Sequence, residues 1–474
     1  MKWVKSLTTD LMEIGIVRRL VNFHAFQFFF IAISLLIFIM AAISIIFGVK
    51  HPGFNFGMVF TWVVWWGIVI ALFVVVGRGW CMMCPFAALG EWLQRLSLWR
   101  KREWVLGFNF KYPRRLKNLW FAIGFFVVFI FMDNGYGISN SPDLTAGLIA
   151  VLILGAIWVA FLFERRTFCL YHCPLTAFIG ISSMMAPFEI RRRDAEVCRQ
   201  CGPKACFNDS EHAYGCPMNQ YQGGGMDTNR DCILCTECIK SCPHGNIKMR
   251  FRMWGHDLWA RRKGRLDEAV GAVIIGGLVT MVSLFLVLFL PPLKSFMDTI
   301  LPAGVPPNDW PRIVSVGLLY LGGLAVSLFL MYGFSHLSRL FSGVKDSGTK
   351  TFFTHFGYAV VPLGIMKFIS DIIDHVFRTW GAIFDVVGAL FRDFPFNRVI
   401  AEEVTVKQLM TANQTYLLQL VLISIGFGLS LYVAYKLAGR MFPDRDIAFR
   451  AFLPIGAFIF VLGMAALWAL SAAL

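Results

Sequence analysis

Residues 232–247, CILCTECIKSCPHGNI, place Cys232, Cys235, Cys238 and Cys242 within eleven residues and follow the last with a proline. This C-x2-C-x2-C-x3-C-P spacing is typical of chains that bind two cubane iron–sulfur clusters. Three of the cysteines ligate one cluster and the fourth ligates its neighbour. A zinc ribbon would instead use two separated pairs of cysteines. The run therefore predicts half of a domain that holds two [4Fe–4S] clusters.

A second cysteine run lies upstream and predicts the other half. Its spacing is C-x2-C-x4-C-x9-C-P, with a longer insert before its last cysteine. Exchange of the fourth ligand predicts two sets of four. We name the first ferredoxin site for Cys198, Cys201, Cys206 and Cys242. The second ferredoxin site comprises Cys216, Cys232, Cys235 and Cys238.

The remaining four cysteines belong to an internal repeat. The segments RGWCMMCPFAAL at 78–89 and RTFCLYHCPLTAF at 166–178 share the order Arg-x-aromatic-Cys, then Cys-Pro and an apolar run. Such repeats can be related by an axis along the membrane normal. We name the turn site for Cys81, Cys84, Cys169 and Cys173. These cysteines either bind a third cluster or another thiophilic metal, or remain unligated thiols that help to dock the ferredoxin domain.

The elements that must position these residues are membrane helices. The 474 residues are 57% hydrophobic and 15% charged, and soluble domains are about a quarter charged. Nine stretches approach the length of a membrane span: 26–47, 57–76, 118–132, 144–163, 269–290, 311–334, 352–372, 415–436 and 450–473. The predicted fold is an all-α polytopic membrane protein with an inserted α+β ferredoxin domain. The predicted domains are a four-helix core at 1–187, the ferredoxin domain at 188–265 and a five-helix membrane domain at 266–474.

The basic residues predict an orientation in the membrane. The formal net charge is +15, but Lys and Arg are concentrated in alternate loops, as the positive-inside rule describes, and not in a nucleic-acid-binding face. Residues 133–143 contain no Lys or Arg. The pattern predicts a multi-pass protein of a bacterial-type inner membrane, with the N-terminus and all cysteine loops in the cytoplasm and the C-terminus outside. Cytoplasmic thiols stay reduced, which favours cluster ligation over disulfides.

The seventh stretch carries ionisable residues. Lys367 and Asp371 share a helix face, and Asp374 and His375 follow one turn later. Ionisable groups in a membrane often mark a pathway or a site, which predicts a quinone headgroup pocket with a proton exit. An internal ion pair with snorkelling side chains is the alternative. His336 and His355 near the cytoplasmic surface are candidate ligands of a haem b.

The motifs RTFCLYHCP and CILCTECIKSCP resemble those of the NapH/NosR/CcoG-type membrane polyferredoxins over residues 20–265. The first turn departs from that pattern, because Cys81 and Cys84 are separated by two residues and not three. The resemblance implies an oxidoreductase subunit that passes electrons between the quinone pool and other subunits of a respiratory or reductase complex in anaerobic respiration. A CcoG-type copper or iron reductase is one alternative. A redox-driven transporter or sensor that uses the C-terminal helices is another.

Overall fold

The computed structural model describes residues 10–23, 25–95, 106–211, 213–260, 264–300, 310–396 and 408–472. The chain divides into two compact units. Unit 1 comprises Met1–Phe47, Ile68–Ala122 and Thr145–Ala260, and it contains all twelve cysteines. Unit 2 comprises Gly48–Gly67, Ile123–Leu144 and Arg261–Leu474. The three domains predicted along the sequence stay a prediction.

Eight helices within the described ranges are long and apolar enough to cross a membrane, which confirms eight of the nine predicted stretches. They are Phe26–Phe47, Phe56–Val76, Pro142–Leu162, Leu266–Ile300, Trp310–Ser342, Thr349–Arg378, Ala412–Met441 and Arg445–Ala472. The stretch predicted at 118–132 forms the shorter apolar helix Trp120–Tyr136, of 17 residues. Residue 473, the predicted end of the last stretch, lies outside the described residues.

These helices are stable in lipid because a helix satisfies its backbone hydrogen bonds internally. Phe26–Phe47 contains no charged residue and exposes large apolar side chains such as Phe29, Ile33 and Leu36. Local caps fix some helix starts. The side chain of Thr411 accepts from the Gln414 amide, and Gln414 in turn accepts from the Thr411 amide, which forms a capping box.

The ferredoxin part of unit 1 is built around one antiparallel pair of strands. Strand β1 (Phe188–Arg192) precedes the first cysteine run and β2 (Ile247–Phe251) follows the second. They pair with Ile190 opposite Met249. Because the two strands flank both cysteine runs, their pairing brings the chain after Cys242 back beside the chain before Cys198.

Short helices fill the ferredoxin part and the turns of unit 1. In the ferredoxin part they are Ala195–Gln200, Ala205–Asn208, Gln222–Gly224, Glu237–Lys240 and His256–Ala260. Around the Cys-Pro turns they are Gly79–Met83, Pro85–Arg95, Phe168–His172, Leu175–Ser182 and Ser183–Met185, and Arg114–Leu116 lies in the loop between the turns. The first turn and the second turn are the names used below for 78–84 and 166–173.

The N-terminal segment of unit 1 covers the ferredoxin core. It contains the short helices Leu11–Glu13 and Gly15–Asn22. Met12 and Val21 are buried in one cluster with Ile190, Met249 and three cysteines, Cys206, Cys232 and Cys238. The Asp10 carboxylate accepts from the Met249 amide at 3.3 Å and pairs with Arg193 at 2.6 Å. This segment is therefore part of the ferredoxin fold although it precedes the first membrane helix.

Unit 2 is helical throughout its described part. Besides its long helices it contains Ile138–Asn140 and Trp380–Arg392. The helix Thr349–Arg378 includes a 3-10 turn at Gly357–Val360, after which Pro362 stands in the first turn of the next α-helical segment. Proline is tolerated there because the first amides of a helix have no intrahelical acceptor. Close packing is visible at Gly426, where an added Cβ would lie 2.7 Å from the Met366 Cβ.

Candidate functional site

The first ferredoxin site surrounds a cavity near the surface of unit 1. The cavity is lined by Cys198, Cys201, Cys206 and Cys242. Asn246 donates its side-chain amide to the Cys198 Sγ at 3.1 Å and its backbone amide to the Cys242 Sγ at 3.3 Å. Hydrogen bonds of this kind to the sulfurs tune the potential of a bound cluster. The cavity thus brings Cys242 of the second run together with the three cysteines of the first run.

The second ferredoxin site is more deeply enclosed. Its four cysteines, Cys216, Cys232, Cys235 and Cys238, are each at most 7% exposed. Two residues between them adopt left-handed backbone conformations, Leu234 with φ 55° and Thr236 with φ 66°. Such conformations are costly away from glycine and cluster at ligand sites. Here they fold the chain into tight turns between Cys232, Cys235 and Cys238.

The side chain of Gln27 joins the first membrane helix to the second ferredoxin site. Its Nε2 donates to the Cys235 carbonyl at 2.7 Å and to the Glu237 carboxylate at 2.9 Å. The Thr236 hydroxyl donates to the Val21 carbonyl at 3.4 Å. The N-terminal segment therefore fixes the backbone that carries the cysteines.

Burial controls the thiol chemistry of both ferredoxin sites. It raises the pKa of Cys216 to about 11, and neighbouring Cys232 adds to the rise. It raises the pKa of Cys235 and of Cys238 well above the ordinary value, again with the other thiols of the set contributing. Thiols bind metal only as thiolates, and metal binding releases their protons. Buried thiols that lie near one another therefore fit a group that brings positive charge, as iron does.

The turn site gathers its cysteines from two turns of different length. Cys81 lies in the α-helical turn Gly79–Met83 and Cys169 in the π-helical turn Phe168–His172. Each turn then ends in an extended cysteine. Cys84 has φ −67° and ψ 122°, and Cys173 has φ −62° and ψ 125°. A π-helical turn accommodates one more residue than an α-helical turn, so the extra residue of the second turn leaves the following cysteine in the same conformation.

The four turn-site thiols lie close enough to interact electrostatically. Burial raises the pKa of Cys84, Cys169 and Cys173 to about 12. In each case nearby thiols of the same set raise the pKa further. Cys84 interacts with Cys81 and Cys173, which belong to different turns. The departure of the first turn from the C-x3-C spacing therefore does not remove Cys84 from the group.

Two arginines cross between the turns. The Arg78 Nη2 donates to the carbonyl of Cys169 at 2.9 Å. The Arg166 Nη1 donates to the carbonyl of Cys81 at 2.7 Å. Each arginine stands three residues before the first cysteine of its own turn and binds the first cysteine of the other. This reciprocal pair shows the pseudo-symmetry of the repeat directly, and it closes the two turns on each other.

The carboxylates that balance these arginines break the symmetry. Glu91 lies seven residues after Cys84 and accepts from the Arg166 Nε and Nη2 at 2.8 and 2.6 Å. The equivalent position, seven residues after Cys173, is Gly180. A Cβ there would lie 3.2 Å from the Arg230 carbonyl. The missing side chain makes room for the ferredoxin part.

The ferredoxin part supplies the groups that meet Arg78. The Arg78 Nη1 donates to the Arg230 carbonyl at 3.0 Å and lies 3.5 Å from the Asp231 carboxylate. Asp231 also pairs with Arg230, so one buried carboxylate lies between two arginines. Arg78 itself is 1% exposed. Its charge is therefore balanced by the residues that immediately precede Cys232.

Electrostatic interactions link residues of different cysteine groups. Cys206 of the first site contributes to the raised pKa of Cys238 in the second. Burial would lower the pKa of Arg166, but Glu91, Cys169 of the turn site and Cys235 of the second site raise it.

Among the described residues, no group of three or more His, Cys, Asp or Glu is placed to hold a single metal ion. The thiols around a single zinc ion would lie close together, because each Zn–S bond is about 2.3 Å.

The other sequence-predicted residues lie in unit 2. Lys367 is 4% exposed and its Nζ lies 2.5 Å from the Asp371 carboxylate. Asp374 pairs with Arg378 at 2.8 Å, and His375 is exposed. Lys367 and Asp371 therefore form an ion pair within one helix. Such a pair is the alternative to a quinone pocket at these residues. The histidines have protein partners. His336 Nδ1 lies 3.0 Å from the Thr349 hydroxyl, and His355 Nε2 lies 2.9 Å from the Leu437 carbonyl.

Sequence reasoning missed the side chains that hold the cysteines in place. The arginine of each repeat was visible at the same offset from its cysteine, which was the available signal, but its partner in the other repeat was not. Asn246 follows the second cysteine run closely and was not singled out. Gln27 and Asp10 carry no motif, because their contacts join segments far apart in the chain.

Comparison with known proteins shows which protein family the repeat resembles. The 4Fe-4S binding domain family matches residues 58–106 and 145–193, which contain the two Cys-Pro turns. The chain is 36% identical over 100 residues to YccM of Escherichia coli, which is named as an electron transport protein; the match covers 21% of this chain and 25% of YccM. No solved structure matches.

Two further relatives match the chain over longer stretches. The ferredoxin-type protein NapH of E. coli is 22% identical over 186 residues, 37% of this chain and 63% of NapH. The regulatory protein NosR of Pseudomonas aeruginosa is 24% identical over 190 residues, 36% of this chain and 25% of NosR. The chain thus spans about a quarter of YccM and of NosR.

These matches confirm the resemblance predicted from the motifs. The chain carries a 4Fe-4S binding domain and is related to YccM, NapH and NosR, of which NapH is named as a ferredoxin-type protein. It is a helical protein with several candidate membrane spans and a ferredoxin part that contains a small two-stranded sheet.

Proposed function

We propose that the chain is an integral membrane electron carrier that passes single electrons between the quinone pool and a partner respiratory or reductase complex. Two [4Fe–4S] clusters occupy the ferredoxin sites and a third occupies the turn site. Such clusters supply one-electron redox chemistry whose potential the surrounding protein sets. The observation that carries the proposal is that one unit contains all twelve cysteines, which fall into three groups of four.

The protein's own contribution is to enclose and order the sites. Of the two ferredoxin sites, the first lies nearer the surface, since Cys201 and Cys242 are partly exposed, and it is the side on which a soluble partner would exchange electrons. The turn site lies at the ends of the membrane helices of unit 1. We place the quinone at this end, with the N-terminus and the ferredoxin part in the cytoplasm and the C-terminus outside. A reporter that is active only in the cytoplasm, fused after Arg265 and after Leu474, tests this orientation.

Metal analysis tests the cofactor content. Iron and acid-labile sulfide should each be about twelve per chain for three cubanes, against about eight for the ferredoxin sites alone. Stoichiometric zinc without labile sulfide would contradict the proposal as a whole.

A Cys242→Ala variant should damage the first ferredoxin site and spare the second. Loss of the second site with the first intact would show that the ligand sets are wrong.

Quinol-dependent reduction of the clusters tests the donor. The two quinone locations are the turn-site end of unit 1 and the ionisable residues Lys367, Asp371, Asp374 and His375 of unit 2. We favour the first, because Lys367 is buried against Asp371 and each limits the cost of burying the other. A site at helix Thr349–Arg378 toward the outer face would also need a carrier across the bilayer, such as a haem held by His336 and His355.

Matched ion-pair variants separate these locations. Lys367→Met and Asp371→Asn should leave the rate of cluster reduction by quinol unchanged in well-assembled protein. The control is the exposed pair Lys294–Asp298, which has the same i,i+4 spacing and a separation of 3.2 Å. Reduction slowed by the first pair of variants, but not by Lys294→Met, would move the quinone to unit 2.

A metal reductase is the second candidate function. The turn site favours it in one respect, since Met82 and Met83 lie between its first two cysteines and thioether ligands suit Cu(I). In that case added Cu(II) would be reduced to Cu(I) with loss of one electron per ion from the reduced protein. Copper-dependent oxidation of the turn-site thiols, in protein that contains about eight iron atoms, would support this function over the third cluster.

A further inference from the structure

We infer that Arg78 and Arg166 are positioning residues that set the reduction potential of the turn site, and that their unequal carboxylate partners make that potential respond to the ferredoxin part. The inference rests on the proposed cluster at the turn site. It begins from the reciprocal hydrogen bonds described above. Each guanidinium is fixed at the first cysteine of the opposite turn, so neither can move without opening the site.

The two arginines place positive charge beside the thiols of the turn site. Arg78 is 1% exposed, and the side chain of Arg166 is 3% exposed. Charges in so enclosed a place are screened little by solvent. A reduced site carries one more negative charge than the oxidised site. A fixed cation nearby therefore stabilises the reduced form and raises the potential.

Each arginine has a carboxylate partner that offsets part of its positive charge. The two partners belong to different parts of the unit. Glu91 neutralises Arg166 from the helix Pro85–Arg95, which follows the first turn. Asp231 lies 3.5 Å from Arg78 and belongs to the ferredoxin part, next to Cys232. Asp231 thus acts on both sites. When one electron passes between the second ferredoxin site and the turn site, one is oxidised and the other reduced, and no bond is made or broken.

Isosteric variants of the carboxylates test the inference without removing a hydrogen-bond network. The measurement is a redox titration of the purified full chain, in which the magnetic resonance signals of the separate clusters are followed. Glu91→Gln leaves the charge of Arg166 unbalanced and should shift the potential of the turn site upward. Asp231→Asn should shift both the turn site and the second ferredoxin site upward. Glu196→Gln, at an exposed position beside the first ferredoxin site, is the control and should leave the turn site unchanged.

The arginine variants supply the opposite sign. Arg166→Gln should shift the turn-site potential downward, and Arg166→Lys, which keeps the charge, should restore most of it. A merely structural role would lower cluster content in both variants and would not reverse sign between Arg166→Gln and Glu91→Gln. Unchanged turn-site potentials in a fully loaded Glu91→Gln protein would overturn the inference.

The iron content separates this failure from failure of the proposed function. A protein that retains about eight iron atoms and shows reducible ferredoxin clusters, but no third signal, has no turn-site cluster, and the inference fails with it while electron transfer stands. A protein without any reducible cluster would instead contradict the function itself.

Discussion

The first Cys-Pro turn separates its cysteines by two residues in an α-helical turn, whereas the second separates them by three in a π-helical turn. Both turns end in an extended cysteine with nearly the same backbone angles. The second cysteine of each turn therefore has the same backbone conformation, although the number of residues between the two cysteines differs. A helix can absorb one inserted residue as a local π bulge, so a spacing motif alone underestimates how similar two such turns are.

The turns differ more in what surrounds them. The arginine of the second turn is balanced by Glu91 of the helix that follows the first turn, while the arginine of the first turn is balanced from the ferredoxin part. The carboxylate partner of one arginine thus comes from the helix after the first turn, and that of the other comes from the ferredoxin part. The comparison teaches that the two turns share the backbone conformation of their second cysteine but differ in the charges around them.

The largest expected effect comes from removing one ligand from each turn. Cys81→Ala and Cys169→Ala should each lower iron and labile sulfide from about twelve to about eight per chain, because a cubane held by three thiolates is readily lost. Iron and sulfide analysis of the purified proteins measures this. Met83→Ala, which removes a sulfur-containing side chain from the same turn, is the control. Unequal losses between the two cysteine variants would break the equivalence of the turns.

A single-residue deletion tests whether the two turn lengths are interchangeable. Deletion of His172 gives the second turn the two-residue spacing of the first, and we expect the iron content to be retained. The thermal stability should fall, since the His172 ring packs against Tyr112 and Phe121. Deletion of Ala177 in the following helix is the control. It rotates the rest of that helix by about 100° and should empty the site. Loss of iron in the His172 deletion would show that the π-helical turn is required.

A smaller effect is expected where the repeat lacks a side chain. In Gly180→Ala the new Cβ would lie 3.2 Å from the Arg230 carbonyl and 3.6 Å from the Arg78 Nη1. Overpacking of this kind costs about 1–3 kcal/mol, and thermal unfolding in detergent should show it. Gly147→Ala, where nothing lies within 4 Å of the new Cβ, should be neutral. Equal stability of the two variants would mean that Gly180 does not make room for the ferredoxin part.

The smallest effect concerns one hydrogen bond that only the second turn has. The Thr176 hydroxyl donates to the Cys169 carbonyl at 2.6 Å, and the equivalent residue after the first turn is Ala87. Thr176→Ala should cost about 1 kcal/mol of stability and leave the iron content unchanged. Thr176→Ser, which keeps the hydroxyl, should retain most of the wild-type stability in the same unfolding measurement.

Much of the fold was predictable from local pattern. Apolar length identified eight candidate spans, and cysteine spacing predicted the sets of four thiols that the structure gathers. The contacts between segments were not predictable. The burial of Lys367 against Asp371 depends on helices packed around them, and the interaction of Arg78 with Asp231 depends on how the ferredoxin part folds onto the turns. The π-helical turn was not predictable either, because the spacing of the two cysteines gives the number of residues between them and not the type of helix that they form.

The N-terminal cover of the ferredoxin core has a consequence for the order of biosynthesis. Asp10, Val21 and Gln27 leave the ribosome long before the strands and cysteines that they contact. Domains generally fold as units during synthesis, amino-terminal parts first. The ferredoxin domain cannot complete its fold in that way, because its N-terminal segment is joined to the first membrane helix before the rest of the domain has been synthesised. The segment that covers the ferredoxin core is therefore made before the core itself. By ligand number, the second ferredoxin site has all its thiols once Cys238 has emerged, and the first is complete only with Cys242.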